Sequence, residues 1–88
     1  MKLIIAKTLI LSYRKLFILI IDNKGFKAPD KNKRVSNAEL KIDMPIHSIE
    51  IVNLSNEKSV IGITINYQDQ DQLDLLESLK AGDQIYID

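Results

Sequence analysis

The first 22 residues, MKLIIAKTLILSYRKLFILIID, set the tightest limit on what this chain can become. They are dense in Leu and Ile, yet Lys7, Arg14 and Lys15 cut them into runs well short of the roughly 18 to 20 apolar residues that a membrane-spanning helix needs. No small-residue cleavage site follows, so the block does not read as a secretory leader either. Isoleucine dominates the apolar set, and β-branched side chains favour strands because their restricted rotamers fit a pleated, half-buried surface. Residues 2–12 and 16–22 therefore read as the two long strands of a first hairpin, joined through the polar Tyr13-Arg14-Lys15. Leu and Ile fall on both faces of these strands. The pattern alone leaves their register open.

Further along, Ala38-Glu39-Leu40-Lys41-Ile42-Asp43-Met44 alternates apolar and charged residues, as expected of a strand with one face in the core. Pro45 removes a ladder donor, so the chain should bend or lie at an edge before resuming as Ser48 to Val52. Ser55 to Lys58 reads as a turn. In the strand that follows, Ile61, Ile63, Ile65 and Tyr67 share one face, opposite Gly62, Thr64 and Asn66. The period then changes. Asp69 or Asp71 can cap a helix, and Leu73, Leu76 and Leu79 with Leu75 form an apolar stripe. Gly82 stands where left-handed helix termination is expected. Gln84 to Ile87 then closes the domain as a last strand. The fold expected is mainly β with one short α-helix: a small five- or six-stranded antiparallel, partly open barrel, with the helix at about 70–80 before the last strand.

Size and composition narrow the chemistry. At 88 residues the chain forms a single domain, and a domain of this size buries only about two thirds of the surface of its unfolded chain. There is no cysteine, so no disulfide, thiolate metal site or thiol nucleophile is available, and a reducing cytoplasm is the natural setting. The abundance of Ile, Lys and Asn suggests an AT-rich genome, such as that of a phage or mobile element.

His47 is the only histidine. Asp43 and Ser48 lie near it in sequence, but neighbours in a strand point to opposite faces, so no nucleophile–base pair follows from the spacing. The run Asp69-Gln70-Asp71-Gln72-Leu73-Asp74 opens like a calcium loop and then fails. Asp74 stands where glycine is needed for the turn, and Lys80 where a bidentate carboxylate is needed. The glycines are isolated and form no phosphate-binding loop. No catalytic residue, metal, cofactor or small-molecule substrate is assigned, and the protein is not expected to be an enzyme.

Charge is the remaining signal. Residues 1–41 hold ten Lys or Arg against three acids, a net +7, whereas residues 42–88 hold two Lys against nine acids, a net −7. The basic half is concentrated in a loop expected at 23–37, with Lys24, Lys27, Lys31, Lys33 and Arg34 around Phe26. Arg14 and Lys15 on the hairpin are candidates to join them. The acids Asp71, Asp74 and Glu77 mark one side of the helix. Complementary charge of this kind favours encounter and register between proteins. The function expected is a noncatalytic interaction module that binds a protein partner or itself, in an accessory or regulatory role. The alternative is single-stranded nucleic-acid binding (RNA or DNA), because basic groups neutralise phosphates while an aromatic such as Phe26 stacks a base.

Overall fold

The structure is a computed structural model that describes residues 2–22, 33–53 and 59–87. Their strands are β1 (Lys2–Ile4), β2 (Lys7–Leu11), β3 (Leu16–Asp22), β4 (Arg34–Asn37), β5 (Ile42–Pro45), β6 (Ser48–Asn53), β7 (Ser59–Asn66) and β8 (Gln84–Ile87). One helix, α1 (Gln70–Glu77), precedes β8. All pairings are antiparallel. One sheet has the order β1-β8-β4-β5 and the other β2-β3-β7-β6. The mainly β class with one helix before the last strand is as expected, and the barrel is open.

Each sheet has an edge strand that continues, after a bend, into an edge strand of the other sheet: β1 runs into β2, and β5 into β6. The strands expected from the sequence become eight because residues 2–12 divide at a corner into β1 and β2, and because Arg34–Asn37, expected as loop, form β4. Both corners have the same local cause. Ala6 N–H donates to Ile20 O at 2.8 Å, although Lys7 is the residue in register with Ile20. His47 N–H likewise donates to Thr64 O at 2.8 Å, although Ser48 is in register with Thr64. Two residues of the bent strand thus oppose one on its neighbour, which is a β-bulge, and the extra residue bends and twists the strand. Pro45 ends β5 just before the second corner, as its missing N–H leads one to expect.

Several expectations are corrected. Residues 2–12 are not one hairpin strand: Lys2–Ile4 pairs with β8, and only Lys7–Leu11 pairs with β3. Ser12 opens a 3₁₀ turn, and Lys15 closes it in left-handed geometry at φ 53°. The alternation from Ala38 to Lys41 is not strand but the turn of the β4–β5 hairpin. There Asn37 Oδ1 accepts from Leu40 N–H at 3.0 Å, Lys41 N–H donates to Ala38 O at 3.2 Å, and Lys41 has φ 57°. An Asn side chain that bonds the backbone just beyond it competes with the ladder, and here it wins. Arg34–Asn37, expected as the end of the basic loop, are β4 itself. The turn expected at residues 55–58 lies outside the described residues.

The helix is capped as the sequence suggests. Asp69 Oδ1 accepts from Gln72 N–H at 2.9 Å, and Gln72 Oε1 accepts from Gln68 N–H at 2.8 Å. It ends at Glu77 with a right-handed cap at Ser78, so Gly82 does not terminate it. Gly82, at φ 94°, instead lies in the following turn, where Asp83 N–H donates to Lys80 O at 3.0 Å and Asp83 Oδ2 accepts from Lys80 N–H at 2.8 Å. That turn anchors the first corner. Gly82 N–H donates to Ile5 O at 2.8 Å, and Ile5 N–H to Asp83 O at 2.9 Å.

The core lies between the sheets. Phe17, Leu19 and Ile21 of β3 and Ile61, Ile63 and Ile65 of β7 meet Val35, Ile42, Met44, Ile85 and Ile87 from the opposite sheet, with Leu76 and Leu79 closing over them from the helical segment. Burial of this apolar surface is the main force holding so small a fold together.

Candidate functional site

With the inner faces assigned, the register fixes the outer ones. On the sheet β2-β3-β7-β6, one outward row reads Lys7, Ile20, Gly62, Glu50, and the next reads Leu9, Ile18, Thr64, Ser48. Leu11 and Leu16 extend the face at one end, and Val60 at the other. Antiparallel sheets with one face in water usually turn polar residues outward. Here Leu9, Leu11, Leu16, Ile18 and Ile20 make the β2–β3 half apolar, with Leu9 43% exposed. Val60 is buried yet stands apart from the core cluster, which places it with this outer layer.

The β7–β6 half of the same face is low. Gly62 has no side chain, and Ser48 and Thr64 are short and bond each other through their hydroxyls, while Thr64 Oγ1 also donates to Ser48 O at 3.2 Å. Thr64 is only 8% exposed, and its polarity is already satisfied. The other sheet differs: its outer face carries Lys2, Arg34, Ser36, Asp43, Gln84 and Tyr86, with Ile4, 56% exposed, and Pro45 as its aliphatic members at opposite edges. An apolar outer layer on one sheet only is the main anomaly of the surface.

The basic residues do not gather into one described patch. Lys24, Phe26, Lys27 and Lys31 lie outside the described residues. Lys33 is half-buried, and its carbonyl accepts from Ile46 N–H at 2.8 Å. Arg34 is engaged within its own hairpin: its Nε bonds Asp43 Oδ1 at 2.7 Å and its Nη2 bonds Asp43 O at 3.0 Å. Arg14 and Lys15 are exposed at the β2–β3 tip, whereas the chain leaves β3 towards the basic segment at Asp22. Seven strand residues, about 20 Å, separate those two points. The tip is tied to the end of β7, where Asn66 Nδ2 donates to Lys15 O at 3.0 Å and Tyr67 N–H to the same oxygen at 3.1 Å. Beside Arg14, Tyr13 is 81% exposed.

Asp71, Asp74 and Glu77 are exposed on α1, and Gln70 Nε2 donates to Asp74 Oδ1 at 2.8 Å. His47 is exposed, while Ser48 is bonded to Thr64 and Asp43 to Arg34, so the three are not assembled as a catalytic group. Among the described residues, no three His, Asp or Glu side chains cluster so as to hold a metal ion. An open groove of about 740 Å³ lies between the β4–β5 turn and the α1–β8 turn, lined by Asn37, Glu39, Leu40, Lys80, Asp83 and Tyr86 among others. Two of its polar groups are turned inward to the chain: Asn37 bonds Gln84 O at 2.8 Å, and Asp83 caps Lys80 N–H.

The apolar outer layer of the β2-β3-β7-β6 sheet is not among the candidate residues that the sequence singles out. Its signal was the presence of Leu and Ile on both faces of residues 2–12 and 16–22. Fold and surface together define a small two-sheet antiparallel β domain with an apolar outer face. Compared with known proteins, the chain matches no family model, no curated sequence and no solved structure. Among the described residues, no helix is long and apolar enough to cross a membrane.

Proposed function

We propose that the protein is a noncatalytic interaction module, accessory or regulatory, that binds a protein partner or a second copy of itself. The observation that carries this reading is the apolar outer face of the β2-β3-β7-β6 sheet, with Leu9, Leu11, Leu16, Ile18 and Ile20 outside the core. Apolar surface of this kind gains free energy when a partner removes it from water. The basic segment around Lys27 and Lys31 and the acidic helix face at Asp71, Asp74 and Glu77 add charge that steers encounter.

The test compares the wild type with Ile18→Lys. Both are used as bait against host extract, and both are run in sedimentation at rising concentration. The variant should keep the wild-type circular dichroism spectrum and lose whatever association the wild type makes. A wild type that neither self-associates nor retains any protein, or a variant that associates equally well, would sink the reading.

A second reading, single-stranded nucleic-acid binding, is favoured by Tyr13, which stands free at the hairpin tip beside Arg14 and Lys15. Aromatic stacking with adjacent cations is how such strands are gripped. Phe26→Ala combined with Lys31→Glu, or Tyr13→Ala, should then abolish binding of an oligonucleotide at low salt. Absence of any binding by the wild type at low salt rejects it.

A further inference from the structure

We infer that the occupant of the apolar outer face is a second copy of this chain, related by a two-fold axis that lies in the interface, parallel to the strands, between β3 and β7. This rests on the reading of that face as a protein-contact surface and deepens it by naming the partner. The face is complementary to itself in shape, polarity and charge.

Rotation about such an axis places β2 of one copy over β6 of the other and β3 over β7, while each row keeps its level along the strands. The tall half of one sheet then meets the low half of its mate. Ile20 meets Gly62, Ile18 meets Thr64, and Leu9 meets Ser48, each contact occurring twice by symmetry. Glycine within a strand is a mark of close approach by another backbone or side chain. Stacked sheets lie about 10 Å apart, a distance that large side chains fill best when they face small ones.

Polarity agrees with this pairing. Hydroxyls buried against isoleucine are tolerated when they are already bonded. Ser48 and Thr64 bond each other across β6 and β7, so the low half can be covered without stranding a donor or acceptor. Asn66, which would meet Leu16, has its amide directed to the carbonyls of Arg14 and Lys15.

Charge gives the orientation. Lys7 and Glu50 are exposed at opposite ends of the same row, with Ile20 and Gly62 between them. Three strand spacings, about 14 Å, keep them apart within one chain. The rotation sets Lys7 of each copy against Glu50 of the other, giving two reciprocal ion pairs at the rim. A foreign partner has no reason to match this layout, whereas a second copy matches it by construction.

The experiment is a charge exchange followed by sedimentation at low salt. Lys7→Glu places two carboxylate pairs at the rim, and Glu50→Lys two ammonium pairs. Each variant should weaken the wild-type dimer by about tenfold or more. Both substitutions are on exposed side chains and should leave the circular dichroism spectrum unchanged. Mixed in equal amounts, the two variants should form a heterodimer with near wild-type affinity, because both rim pairs are then of opposite charge. A wild type that stays monomeric up to millimolar concentration overturns the inference, as does a dimer indifferent to both substitutions or a mixture that fails to pair. A monomeric wild type that retains a host protein lost by Ile18→Lys overturns the second copy as occupant, while the protein-contact reading stands.

Discussion

A few side chains at strand and helix ends decide how the elements join. Asn66 bonds the Lys15 carbonyl, and Gln68 Nε2 donates to Asn66 Oδ1 at 2.9 Å, so one amide links the hairpin tip, the end of β7 and the entry to α1. Gly82 acts through its backbone alone. Its φ of 94° lies where L side chains are rarely found, and a Cβ built there would meet no atom within 4 Å. Gly82→Ala should therefore lower the free energy of unfolding by conformational strain alone, about 1 to 2 kcal/mol. Urea denaturation reads this directly. A loss much larger than that would mean that the turn carries packing the geometry does not show, and no loss would mean that the turn relaxes without penalty.

Among the elements, what was legible depended on whether a local pattern had a competitor. β7 was readable because Ile61, Ile63, Ile65 and Tyr67 alternate with small or polar residues, a period of two that no capping or turn residue interrupts. The helix was readable because Asp69 supplies a cap and the leucines return at helical spacing, although it stops at Glu77 rather than near Lys80. Ala38 to Lys41 misled because alternation there coincides with an Asn37 side chain that closes a turn, and tertiary pairing of Arg34–Asn37 with Ile42–Pro45 settles the outcome. The corner after Ile4 carries no proline or glycine. It arises from the bulge opposite Ile20, a relation between distant strands that no single stretch of sequence displays. The outer layer was visible only as surplus apolar residues, since two apolar faces on one strand do not reveal which of them is the core. The two faces of β3 and β7 should separate in mutational response. Ile63→Ala empties a fully buried site and should cost about 2 to 5 kcal/mol in urea denaturation. Ile18→Thr, on the outer face and half-buried, should cost less than about 1 kcal/mol in the monomer. Equal losses at both sites would show that the outer layer is part of the monomer's core and unavailable to a partner.

At the scale of the whole molecule, the opposed charges of the two sequence halves are partly interleaved by folding. Arg34, from the basic half, is bound to Asp43, from the acidic half. Arg14 and Lys15 are tied through Asn66 to the β7–α1 junction, where Asp69 and Asp71 begin the helix. Among the described residues, an exposed ion pair thus joins the two sequence halves, and pairs of this kind add at most about 1 kcal/mol each. Association through the sheet face should then draw mainly on apolar burial, which salt does not screen, with rim pairs contributing a minor, screened part. Nucleic-acid binding behaves otherwise, because each phosphate contact releases a counterion. With about four cations engaged on a single strand, a tenfold rise in salt should weaken binding by roughly 10²- to 10³-fold. Self-association measured over the same salt range should weaken only a few-fold. A steep loss of self-association with salt would reassign the contact from the isoleucine face to the charged segments, and a shallow one would keep it on the row from Lys7 to Glu50.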